Sequence, residues 1–418
     1  MRRHLIAGFA AGLLVVAASP ASAGQGQDPV VAALEAAARP LQAFAEIVGD
    51  ASLVGVGEAT HGSHEFFDLQ RRVFIQLVRQ KGFRAFAREV SWSAGLRLDE
   101  YVMHGTGDLR QIMREEFQGS YLWNTEEHLD LLEWMREYNI RHREPLRFVG
   151  SDIGYPGPEL FDRVRAGVAR SRPALLADVD RLYRDMAPRT GAGEWMSTYP
   201  MRPLAERKSF RDRAWQALNL LRDNGLDAWT EQHARVIAQS MRMWASDFTD
   251  PAEAAAGFRY RDEAMADNVL WWAEHTGDRM VLAAHDGHVA TTSYWANYPS
   301  VQGTFLRERW GQRYLSVGTT FHHGTFALLD RTNGGVRQVS VGPPPPNSNE
   351  STLDKVRRSD FVLDARAAPA VTRDWLAVAR PTRQYAESFP DEDKSVALGR
   401  SFDVVVHVHR STPSRLLP

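Results

Sequence analysis

Histidine and glutamate recur together in short blocks of this chain, at spacings suited to proton transfer. In Glu58-Ala59-Thr60-His61-Gly62-Ser63-His64-Glu65 a carboxylate precedes an imidazole by three positions, so one turn brings both to the same side. His285-Asp286-Gly287-His288 offers two further imidazoles, and Glu89 and Asp152 offer isolated acids. A histidine held at one nitrogen by a carboxylate presents the other as a base near neutral pH. Glu58 and His61 are read as such a pair. Glu89 is the second acid, placed to orient the imidazole or a water, and His285 or His288 donates to a developing oxyanion or leaving group. The set His61, Glu58, Glu89 and His285 describes acyl hydrolysis by a general base that activates water. Composition removes rival chemistries. With no cysteine there is no thiolate nucleophile, disulfide or Cys-ligated metal site. There is no Gly-x-Ser-x-Gly elbow, His-Glu-x-x-His helix or Walker A loop. Gly55-Val56-Gly57 has Thr60 where a dinucleotide turn needs its third glycine.

These residues need elements to position them. Short apolar runs at Ser52–Val56, Phe83–Arg88, Leu146–Gly150 and Arg279–Ala284 read as buried strands. Helical patterns at His64–Lys81, Leu129–Tyr138 and Arg261–Glu274 alternate with them, which predicts a parallel sheet. Each strand ends in a titratable group: Glu58, Glu89, Asp152 and His285. Ligand sites in parallel sheets lie outside the carboxyl ends of the strands. The segment from Tyr155 to Asp250 is helical in pattern, with breaks near Pro188–Gly191 and Pro200. The expected architecture is α/β, a central mostly parallel sheet flanked by helices, with a helical insertion at about 155–250 covering the site. Further expectations are an amphipathic helix over Asp28–Phe44, a hairpin of Tyr314–Thr320 and Thr325–Leu329 broken at His323-Gly324, a proline-rich loop at Gly342–Asn349, and a terminal strand at Phe402–Val408.

Other polar residues carry two readings. His64 and Glu65 open a helix, where they cap it or complement its dipole; Glu65 is also a candidate for substrate binding, with His288, Arg261, Arg71 and Trp123. His322 and His323 read as an exposed pair in a turn. The pair Trp271-Trp272 reads as core or pocket wall. The chain of 418 residues has 50 basic and 52 acidic side chains and a net charge of −2, which argues against nucleic acid or an anionic membrane as main partner. Met1–Ala23 has Arg2 and Arg3, an apolar stretch from Leu5 to Ala18, and Ala21-Ser22-Ala23 at its end. That is the pattern of an export signal, so a mature protein of residues 24–418, periplasmic or secreted and with no stable membrane anchor, is expected.

Several separated motifs are similar to those of one family. Gly57-Glu58-Ala59-Thr60-His61-Gly62 continues into His64-Glu65-Phe66-Phe67. Phe86-Ala87-Arg88-Glu89, Trp134-Met135-Arg136-Glu137-Tyr138-Asn139, Gly150-Ser151-Asp152-Ile153, Arg261-Asp262-Glu263-Ala264-Met265-Ala266 and Ala284-His285-Asp286-Gly287-His288 follow in order. On these the chain resembles the erythromycin esterase family from about Leu53 to Val408. The resemblance implies a hydrolase that opens the lactone ring of macrolides, an antibiotic-resistance activity. It implies His61 as general base, and Glu58, Glu89 and His285 in the same site with His288 close by; the preferred reading, hydrolysis by a general base, needs no cofactor or metal. Two departures stand out. Macrolide-cleaving members carry a basic residue nine positions after the signature histidine, where this chain has Gln70. Arg71 is next along but lies roughly 100° around the helix, so Arg261 is the other source of positive charge. The resistance enzymes also work inside the cell, unlike an exported chain. Two alternatives remain: a metal-dependent hydrolase using the same histidines and glutamates on Zn or Mn, and a non-catalytic periplasmic protein that binds a small molecule through Trp and Arg.

Overall fold

The computed structural model describes residues 28–117, 121–295, 299–330, 335–386, 389 and 393–418, with the Tyr121 side chain left aside. The expected export segment Met1–Ala23 lies outside the described residues. The apolar runs become strands: β1 (Leu53–Val56), β2 (Ala85–Ser91), β3 (Arg147–Asp152), β4 (Met280–Ala283) and β5 (Tyr314–Asp330). They are followed by β6 (Gly335–Val341), β7 (Phe361–Asp364), β8 (Arg380–Thr382), β9 (Lys394–Val396) and β10 (Val404–Ser411). The sheet order is β3-β2-β4-β1-β5-β10-β7, with β6 added along β5 and β8-β9 as a separate pair. All neighbours from β3 to β10 are parallel; β7 and β6 run antiparallel at the margins. The protein is therefore an α/β fold with a mostly parallel central sheet.

Helices bury both faces of this sheet, which is why its strands are apolar throughout rather than alternating. Leu53, Ala85, Ala87, Val149, Met280 and Leu282 pack on one side with the helices that follow β3. Val54, Val56, Phe86, Phe148, Val281 and Ala283 pack on the other, with helices His64–Lys81 and Glu126–Arg141. Between β3 and β4 the chain forms Pro158–Ser171, Leu176–Leu182, Ala192–Thr198, Leu204–Asp223, Ala228–Trp244 and Pro251–Thr276, all helical.

Local chemistry explains where the elements differ from expectation. The predicted helix Asp28–Phe44 stops at Ala37 and resumes at Phe44. Pro40 forces Arg39 into an extended conformation, and Arg39 exchanges backbone hydrogen bonds with Val362. The last long helix of the insertion side starts at Pro251, ten positions earlier than expected, because Asp250 caps it by accepting from the Ala252 and Glu253 N–H groups. The hairpin expected around His323-Gly324 does not form. Tyr314–Asp330 is one bent strand, with the bend at Gly324 (φ 133°) and the antiparallel return made by β6. The reason is non-local: β10 lies beside β5 as far as Ser411 opposite Gly324, and supplies the partner a turn would have supplied. His322 and His323 thus sit in a strand, not in a turn.

Candidate active site

The loop after β1 is fixed by its backbone before any side chain acts. The Gly57 N–H donates to Val317 O at 2.8 Å, Asp286 N–H to Glu58 O at 3.0 Å, and Tyr385 N–H to Ala59 O at 2.9 Å. Gly62 O accepts from the Ala327 and Ser414 N–H groups. Two glycines here are set by close approach. A Cβ on Gly57 would lie 1.8 Å from Asp286 Oδ1, and one on Gly62 would lie 2.0 Å from Ala327 O.

This loop turns Glu58 and His61 together, with Glu58 Oε1 2.8 Å from His61 Nδ1. Glu58 is fully buried, accepts from Gln70 Nε2 at 2.8 Å, and meets Arg88 Nη2 at 3.3 Å. Burial alone would raise its carboxyl. Arg88, then His61 and Gln70, outweigh burial and hold it below the usual carboxylate range. Ionised, Glu58 only accepts, so the proton lies on His61 Nδ1 and the basic nitrogen is Nε2. Arg88 Nη1 donates to Gln70 Oε1 at 2.9 Å, closing a ring of buried polar groups. Arg88 also lies over Trp123 at 5.1 Å.

Alternation along β2 sends Arg88 to one face of the sheet and Glu89 to the other. A register shift between Arg88 and Ser91 marks a bulge against β3 there. Glu89 Oε1 meets His288 Nε2 at 3.1 Å and accepts from Arg261 Nη2 at 3.1 Å; Oε2 accepts from the His285 backbone N–H at 3.0 Å. Burial again raises this carboxyl, but His288, then Arg261 and His61, hold it well below the usual range. Arg261 is clamped by Asp152, at 2.9 Å from Nε and 2.5 Å from Nη2. Glu89 thus neutralises His288 and Arg261, while Glu58 grips the His61 ring at Nδ1.

The two histidines after β4 take opposite protonation states. Burial, with the charges of His61 and His288, drives His285 down to about 3. Its Nδ1 accepts from Gly287 N–H at 3.0 Å, so its Nε2 carries the proton, and Nε2 is buried with no hydrogen-bond partner among the described residues. Burial disfavours charge on His288 too, but Asp262 at 2.5 Å from Nδ1 and Glu89 at Nε2 raise it to about 10. One is a neutral donor and the other a fixed cation, a separation that assigns roles. The His61 and His285 rings are 5.3 Å apart, and Trp123 lies 5.5 Å from His61 on another side.

A cleft opens beside these groups, lined by Glu89 and Asp152 from the strands, by Arg261 from the helix Pro251–Thr276, and by Glu116, Trp123, Tyr155 and Met196 among others. Tyr155, Ala192 and Met196 belong to the segment expected to cover the site, and they line its wall. The structure therefore brings Glu58, His61, Glu89, His285, His288, Arg261 and Trp123 together. It does not bring in two expected residues. Arg71 pairs with Asp68 at 2.8 Å, since Gln70 takes the inward direction of the helix. Glu65 accepts from the Thr412 N–H at 2.7 Å and anchors the C-terminal segment instead. Sequence reasoning gave no role to Arg88, Gln70, Asp262 or Asp286. Arg88 was detectable, since a charge inside an apolar strand must have a buried partner; Asp262 had no local signal. Among the described residues, the acids and histidines of this site do not form a group of three converging metal ligands.

A family model for erythromycin esterase matches residues 78–411. The chain belongs to the erythromycin esterase family. Glu89, Asp152, Arg261, His285 and His288 fall inside the matched stretch, and Glu58 and His61 just precede it. The chain is 24% identical to the erythromycin esterase type II of Escherichia coli over 327 residues, 68% of this chain and 72% of that protein. Among solved structures it is similar to a Bacillus cereus protein with a TM-score of 0.84 and 29% identity, covering 93% of this chain and 98% of the other. A succinoglycan biosynthesis protein follows at 0.82 and 27%, with the same coverage of 93% and 98%. The erythromycin esterase EreC, a histidine-to-asparagine mutant in its open conformation, shares the fold at 0.68 and 18% identity over 90% of this chain and 94% of that one.

Proposed function

We propose that this family member hydrolyses a carboxylic ester or lactone with a water that His61 deprotonates. The observation that carries the reading is the Glu58–His61 pair at 2.8 Å, its imidazole 5.3 Å from the ring of His285, whose buried Nε2 has no hydrogen-bond partner among the described residues. Glu58 holds Nδ1–H and favours the imidazolium; His61 Nε2 takes the proton of water as oxygen attacks the acyl carbon. His285 Nε2–H donates to the oxyanion that forms, in a setting where a fixed donor is worth most. Collapse breaks the acyl–oxygen bond, and His61 returns its proton to the leaving alkoxide. The products are one acid and one alcohol, or a hydroxy acid from a lactone. Arg261, fixed by Asp152 and Glu89, lies at the cleft wall for the oxygen-rich part of the substrate, and Trp123, Tyr155 and Met196 line the same cleft.

The family name makes a macrolide lactone the first substrate to test. Gln70 argues for a different or wider range, because it is held between Glu58 and Arg88 and presents no charge to the cleft. We place the reaction outside the cytoplasm, on the strength of Met1–Ala23. The test is mass spectrometry of macrolides and simpler esters incubated with purified protein, following addition of one water. His61→Ala is expected to lower turnover by at least about 10³-fold with an unchanged circular dichroism spectrum. A ligand that binds without gaining water identifies a binding protein, and wild-type turnover in His61→Ala removes the assigned base.

A further inference from the structure

Strands β5 and β10 carry an imidazole cluster that has no part in the proposed hydrolysis. His322, His323 and His409 each offer a ring nitrogen, and these atoms lie within 4.8 Å of one another. Among the described residues no other group of three metal-ligating side chains converges this closely. The parallel register accounts for it: Val408 lies opposite Phe321 and Arg410 opposite His323, so His409 rises beside the adjacent pair on β5. His322 Nδ1 and His323 Nδ1 are 3.1 Å apart. The His323 and His409 rings meet edge-on at 4.9 Å, and His322 lies parallel to His409 at 5.9 Å.

Behind the rings stands one carboxylate, Asp354, just after the short helix Asn349–Leu353. Its Oδ1 lies 2.6 Å from His409 Nδ1 and 3.3 Å from His407 Nε2, and its Oδ2 lies 3.3 Å from His322 Nδ1. None of these residues lines the cleft. The 3.1 Å contact is one N–H···N hydrogen bond when either ring carries its proton on Nδ1; with both protons on Nε2 the two Nδ1 lone pairs converge and a cation can join them. Ligand bonds of about 2.0–2.1 Å in tetrahedral zinc put nitrogens roughly 3.3 Å apart, close to the spacing present. The rings are only partly buried, so the wider spacings close by side-chain rotation. Asp354 on His409 Nδ1 leaves Nε2 for an ion, the arrangement in which an outer carboxylate orients a metal-bound imidazole.

We propose that His322, His323 and His409 bind one borderline divalent transition-metal ion, zinc or its neighbours nickel and copper, with Asp354 orienting His409 from behind. The all-nitrogen set disfavours magnesium and calcium, which take oxygen. The ion staples β5 to β10 shortly before β10 delivers Ser411 and Thr412 to Ser63 and Glu65. Its role is structural, and it is independent of the hydrolytic reading.

The experiment is calorimetric titration of tag-free, chelator-stripped protein with zinc, paired with thermal unfolding at increasing free zinc. The expected result is one saturable ion per chain and a melting temperature that climbs with zinc but not with magnesium. His409→Ala, at a solvent-accessible position that needs no refolding of the core, weakens binding at least about tenfold. The variant His322→Ala/His323→Ala/His409→Ala loses the saturable phase. Absence of saturable zinc binding in the wild type overturns the proposal. So does undiminished affinity in His409→Ala and the triple variant, which would move the ion to other ligands.

Discussion

Arg88 gives the sharpest test of how the site is held. It is fully buried, with Nη2 at 3.3 and 3.5 Å from the two Glu58 oxygens and Nη1 bonded to Gln70. At about 3.3 Å and an effective dielectric of about 20, the attraction to Glu58 is roughly 5 kcal/mol before desolvation. Arg88 Nε has no partner among the described residues, so the desolvation of this cation is incompletely offset. Arg88→Met leaves the Glu58 charge buried with only His61 and Gln70 beside it, and the expected loss of stability is about 3–5 kcal/mol. Adding Glu58→Gln removes the stranded charge, so the double variant should recover to within about 1–2 kcal/mol of the wild type.

The pH dependence must also reverse. In the wild type the folded Glu58 value lies below its ordinary 4.5, so its contribution is present above that pH and is lost as pH falls through the lower folded value. In Arg88→Met the first of the influences that oppose burial is removed, and the folded value is expected to rise above 4.5. Stability then drains away as pH rises from there through the raised folded value, by up to about 1.4 kcal/mol per pH unit. Urea unfolding followed by tryptophan fluorescence at about pH 5 and pH 8 reads both effects. A single variant that loses under about 1 kcal/mol at both pH values, or a double variant no better than the single, refutes the buried-pair account.

Other expectations are quicker to check. His285→Phe removes the unpartnered donor and should lower kcat on an ester by about 10²–10³-fold with little change in KM; steady-state kinetics decide it. His288, raised to about 10, contributes stability that is complete below its ordinary 6.5 and is lost as pH climbs through about 10. Melting curves across that alkaline range should show the loss in the wild type and a smaller one in His288→Gln. Gly57→Ala places a methyl 1.8 Å from Asp286 Oδ1, and chemical unfolding should report a cost of about 1–3 kcal/mol or more.

The strand exits were legible because charge is conspicuous against apolar runs. Glu58, Glu89, Asp152 and His285 were each found at the carboxyl end of a strand that exists. The helix His64–Lys81 was read to the residue, since Gly82 closes it in the left-handed conformation. What escaped notice depends on partners distant in sequence. The continuity of β5 rests on β10, and the inward turn of Gln70 rests on Arg88 and Glu58. Spacing brought Glu58 and His61 together, but could not tell that Glu89 meets His288 and Arg261. Arg71 and Glu65 looked eligible because residue type does not disclose direction.

The segment after β10 bears on how this protein comes into being. Ser411 grips Ser63, Thr412 grips Glu65 from 347 positions downstream, and Ser414 meets Gly62. A growing polypeptide exposes His61 early and His285 much later, yet the clasp that steadies the first loop is made later still. Any truncated product ending ahead of Ser411 owns every reactive group and none of that clasp. Contacts of such long range form slowly, so the first loop should reach its final geometry only after residues 411–414 have been made and have docked.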